Sequence, residues 1–131
     1  MAAANIDTVT NFASGTDKFG AVKDQQIGTV TIATDTKFVV TSKSLDDSVA
    51  NLDAVVAALG NEQMTASTAA SMQAKVYTFA NGAAAGSYMV IDGGDGGNIN
   101  AANDYIVKLA GTTTVTADDF QVVTNATDFL A

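Results

Sequence analysis

The chain has 131 residues, a formal charge of −8 and 47 per cent hydrophobic residues, and it contains no His, Cys, Trp or Pro. That is enough for one domain with a real core, and too apolar for a disordered chain. All six basic residues are Lys, so thiol chemistry, a Ser-His-Asp arrangement and ordinary zinc sites are excluded, and a basic footprint for nucleic acid or an anionic membrane is missing.

Glu62 is the only glutamate among the acids. Asp favours turns, caps and oxygen-rich loops over helix surfaces, which points to a mainly β chain, a β-sandwich or β-sheet module. The opening Met1 to Asp7 has neither the positive region nor the apolar core of a secretory signal peptide. No hydrophobic run is long enough to span a bilayer, so no membrane insertion is expected. In the first segment Ile6, Val9, Phe12 and Phe19 are apolar anchors around a turn at Ser14-Gly15-Thr16-Asp17. Two Thr- and Val-rich strands follow, Thr29 to Ala33 and Lys37 to Ser42, and the short Thr34-Asp35-Thr36 link between them predicts a hairpin.

A helix is predicted over about 44–59. Ser44 and Asp47 have capping-box spacing, and Leu45, Val49, Leu52, Val55, Val56 and Leu59 recur at helical intervals up to Gly60-Asn61. Asp46 and Asp47 then lie in its first turn, as caps rather than ligands. A second short helix at about 62–73 is expected to seat Met64 and Met72 against the first. Ala74 to Ala80 reads as a strand, Asn81-Gly82 as a turn, and Ser87 to Ile91 and Tyr105 to Leu109 as two more strands. There is no linker and no change of composition, so residues 1–131 are read as one domain.

Between the last two strands lies Asp92-Gly93-Gly94-Asp95-Gly96-Gly97-Asn98, followed by a run ending at Asp104. Its carboxylates need a positive partner, and the chain has few cationic side chains. A hard cation, Ca²⁺, answers that need with ligands from Asp92, Asp95, Asn98 and Asp104 plus loop carbonyls; the competing reading is a solvated hairpin loop. Asp118 and Asp119 either form a second cation site or cap a turn, and the cap is the simpler reading.

Two stretches carry a resemblance. Residues 7–19 are similar to the segment that follows the calcium-binding repeats of RTX proteins, although Asn11 stands where Asp is usual. Residues 77–120, with Tyr88-Met89-Val90-Ile91-Asp92-Gly93, Asn103-Asp104-Tyr105-Ile106-Val107 and Thr116-Ala117-Asp118-Asp119-Phe120, resemble C-terminal modules of surface-layer and RTX-like bacterial proteins exported by type I secretion. Gly93 to Asn100 matches the glycines of the tandem nonapeptide only once and imperfectly, so no stacked calcium β-roll can form; any cation site is a local cage.

The resemblance implies a secreted or cell-surface, calcium-associated, non-catalytic module. Its expected partners are copies of itself, a surface-layer or matrix component, and the type I export machinery. Asp128, Phe129, Leu130 and Ala131 look like the terminal tag such exporters read, or else like a last strand docking on the core. Assembly into a lattice or filament is the expected role. The alternative is an adhesin that stacks carbohydrate on Tyr77, Tyr88 and Tyr105. No catalytic residues are expected: Ser42, Lys43 and Ser44 could supply a nucleophile, but nothing gathers them in a cleft.

Overall fold

The structure, a computed structural model, describes residues 6–111 and 114–124. Its strands are β1 (Asp7–Thr10), β2 (Phe19–Val22), β3 (Gln26–Ile27), β4 (Val30–Thr31), β5 (Lys37–Ser48), β6 (Gln63–Met64), β7 (Ser71–Asn81), β8 (Gly86–Ile91), β9 (Gly97–Asn98), β10 (Tyr105–Ala110) and β11 (Phe120–Val123). Among the described residues, one helix, α1 (Leu52–Leu59), and one 3₁₀ turn, Ala117–Asp119, complete them. The expected mainly β class with a helix is what the chain adopts.

The central sheet has the order β1-β10-β8-β7-β5. β8 runs antiparallel to both β7 and β10, whereas the outer pairs β1–β10 and β5–β7 are parallel. Side chains of a strand alternate between the two faces of a sheet, and here both faces are apolar. Met72, Ala74, Val76, Met89, Ile91, Val107 and Leu109 belong to one core; Tyr77, Phe79, Tyr88, Val90 and Ile106 belong to the other.

The first core is covered by the β2–β11 pair and the β3–β4 hairpin. Four phenylalanine rings form a row there: Phe12 on Phe19 at 4.2 Å, Phe19 beside Phe120 at 5.3 Å, and Phe120 on Phe38 at 4.2 Å. The second core is covered by α1, through Val55 and Leu59, with Ile6, Val49 and Ile99 around it. The unbroken apolar run Tyr88 to Ile91 in β8 is the sequence signature of a strand buried on both sides.

Three local expectations are corrected. Residues 44–48 are not helical, because β5 runs on through them beside β7, with Ser44 opposite Thr78, Leu45 opposite Phe79 and, past a bulge, Ser48 opposite Asn81. The helix starts at Leu52, and its cap is Asn51, whose side chain accepts from the Ala54 N–H at 2.9 Å. Asp46 and Asp47 are therefore strand residues, not caps. No helix forms at 62–73: Gln63–Met64 pairs with β9, and Ser71 to Gln73 open β7. The hairpin expected around residues 34–36 does not form either. β4 pairs with β3 and β5 with β7, because the buried Thr36 hydroxyl, accepting from Ala33 N–H and donating to the Ala69 carbonyl, turns the chain out of one layer into the next.

Candidate cation site in the β8–β10 loop

Tyr105 is the register partner of Ile91, so the β8–β10 loop begins at Asp92 and ends at Asp104, side by side at its neck. Both residues are buried, at 1 and 5 per cent exposure. Burying two carboxylates demands hydrogen-bond donors or a counter-charge, and here backbone N–H groups of the loop and of Ser67 supply the donors. Asp92 accepts from the N–H groups of Ser67 and Gly94 on Oδ2, each at 2.7 Å, and from Gly96 on Oδ1 at 3.0 Å. Asp104 accepts from Gly93 on Oδ1 and from Asn100 on Oδ2, both at 2.8 Å.

The glycines make this wrapping possible. Gly94 has φ +102°, and a Cβ on Gly93 would overlap the Asn103 carbonyl. From outside, the β3–β4 turn grips the loop, with Thr29 donating to the Gly93 carbonyl through its N–H at 2.8 Å and its hydroxyl at 3.1 Å. Ser67 is held in turn by its own hydroxyl, which accepts from the Gln73 N–H of β7 at 2.8 Å.

Asp95 completes the group. Among the described residues Asp92, Asp95 and Asp104 are the carboxylates that converge, each offering one oxygen within 4.8 Å of the others. Asp95 is exposed. A carboxylate has about four acceptor positions, so three bonds at Asp92 and two at Asp104 leave lone pairs on both. Burial pushes the Asp104 carboxyl above its ordinary value; the Asn100 and Gly93 N–H groups oppose this, and the like charges of Asp92 and Asp95 add to it. Three oxygens of one sign and no nitrogen or sulfur ligand suit a hard cation and not a soft one.

The other expected site residues lie elsewhere. The Asn98 amide spans two elements, donating to the Gly60 carbonyl after α1 at 2.8 Å and accepting from Gln63 at 3.4 Å. Asp119 is fully buried and acts as a cap. Its carboxylate accepts from the Ser14 hydroxyl at 2.6 Å, the Gly15 N–H at 2.7 Å and the Thr116 N–H at 2.8 Å. Burial raises the Asp119 carboxyl, but these bonds outweigh it and hold the group below its ordinary value. Asp118 is exposed, and Lys18 donates to its carbonyl. Asp128, Phe129, Leu130 and Ala131 fall outside the described residues.

Residue typing alone missed Ser67 and Thr29. Both act through their main chain or hydroxyl on a loop distant in sequence, and the one local hint was Gly28 beside Thr29. A Cβ on Gly28 would overlap the backbone of Gly93. Of the three tyrosines, Tyr77 and Tyr88 are wholly inside, so only Tyr105, 38 per cent exposed, could face a sugar. Lys43 is occupied by Glu62 at 2.6 Å. No helix among the described residues is long and apolar enough to cross a membrane.

Compared with known proteins, the chain matches no family model, no curated protein and no solved structure.

Proposed function

We propose that the chain is a non-catalytic structural module whose fold is completed by calcium in the β8–β10 loop, working outside a bacterial cell by assembly with copies of itself or with a surface matrix. The observation that carries this reading is the convergence of Asp92, Asp95 and Asp104 within 4.8 Å, with only like charges acting on Asp104. A divalent ion there relieves that repulsion, and loop carbonyls and water supply the remaining oxygens that calcium takes. The resemblance of residues 7–19 and 77–120 to RTX-like modules supports export by the type I route and favours calcium over magnesium.

The mechanism is linkage. An ion that binds only the folded chain stabilises it by an amount set by its concentration, about 2.7 kcal/mol at one hundred times Kd. Calcium-poor surroundings leave the chain less stable, and calcium-rich ones lock it. Melting followed by calorimetry tests this: calcium at that excess should raise Tm by about 10 °C over the chelated protein. Equal Tm values in millimolar calcium and in chelator would overturn the reading.

A further inference from the structure

We propose that the outer edge of β5 is a pairing surface for a second copy of this chain, joined antiparallel about a two-fold axis. β5 closes one side of the central sheet; β7 lies on its inner side, and among the described residues no strand lies on its outer side. It has twelve residues, most of them exposed, and Val39 is 42 per cent exposed. The opposite edge, β1, has only four. The edge carries the β-branched run Val39-Val40-Thr41, and a long edge with unpaired N–H and C=O groups is a template for another strand.

The charges on β5 choose the occupant. Lys37 stands at its start, and Asp46 and Asp47 stand near its end. All three are exposed, and among the described residues none has an ion-pair partner. The register with β7 shifts between Leu45 and Ser48, which places the two acids on a bulge. In a two-fold antiparallel pair with Ser42 on the axis, Val39 of each copy lies opposite Leu45 of the other. Lys37 of each then faces the other's Asp46–Asp47 bulge. The strand is complementary to itself reversed, twice over. A parallel neighbour would instead set like charges opposite each other, which destabilises a ladder. Symmetry closes the contact, so the product is a dimer with one continuous sheet rather than an open fibre.

This deepens the assembly half of the proposed function and does not depend on the calcium half, since β5 contributes no carboxylate to the loop. The test is sedimentation velocity from micromolar to millimolar protein, in chelator and again in calcium. The expected result is a monomer–dimer equilibrium in both, weakened by salt. Lys37→Glu should weaken dimerisation roughly tenfold or more, and Lys37→Glu combined with Asp46→Lys and Asp47→Lys should restore it. Circular dichroism melts of each variant guard against misfolding. A protein monomeric throughout, or a dimer indifferent to Lys37→Glu, would overturn the proposal while leaving any calcium-dependent melt intact.

Discussion

Asp92 and Asp95 are three residues apart and make opposite demands on the loop. Asp92 is a structural anchor: it satisfies three backbone N–H groups, so Asp92→Asn turns an amide N–H toward donors already in place. That variant is expected to lose about 2–4 kcal/mol in chelator, read by urea denaturation, and more in calcium, because it also weakens the ion's site. Asp95 is exposed and brings its charge to the group without a hydrogen bond from the loop. Asp95→Asn should leave the chelated melt unchanged, within about 0.5 kcal/mol, and abolish the rise caused by calcium. An Asp95→Asn variant with a full calcium response would remove Asp95 from the site. The pair thus separates a carboxylate that holds both loop and ion from one that serves the ion alone.

At the scale of elements, α1 shows what the residues made legible and what they hid. Leu45, Val49, Val55 and Leu59 do enter one core, as their spacing predicts. The backbone between them, however, is strand up to Ser48 and helix only from Leu52. Four-residue spacing was satisfied because Val49 is pinned at a corner, bonded by its N–H to Asn81 and by its carbonyl to the N–H of Ala84. Parallel pairing with β7, thirty-four residues further on, decided the matter, and no local pattern records a partner that distant. Strands 87–91 and 105–109 were legible to within a residue because both are rich in β-formers and bounded by glycine or aspartate. The three acids were legible too, as residues that need a counter-charge; the N–H groups wrapped around two of them were not, since backbone donors leave no mark in composition. Cap identity is open to a direct check. Asn51→Ala should cost about 1 kcal/mol, as an N-cap loss does, whereas Ser44→Ala should stay within about 0.5 kcal/mol.

For the molecule as a whole, acidity and stability meet at Asp119. This one carboxylate ties the Ser14–Gly15 turn to the 3₁₀ turn before β11, and so joins the two ends of the described chain. Its folded pKa lies below the ordinary value of an aspartate carboxyl. The stabilisation is therefore present in full above that unfolded value and is lost as pH falls through the lower, folded one. Asp119→Asn is expected to cost about 2–3 kcal/mol at neutral pH, and the gap from the parent protein should shrink as pH drops below about 4. A gap constant from pH 7 to pH 2 would mean that the charge contributes nothing beyond shape.

The parallel pairs have a further consequence, for the order in which the chain can close. β1 matches residue for residue with 107–110, and β2 with 120–123. β1 and β2 therefore keep their main-chain groups unmatched until β10 and β11, about a hundred residues later, have been made. Contacts so remote in sequence make folding slow, on the scale of milliseconds to seconds. Until β10 and β11 are available, β1 and β2 stay open along their whole length.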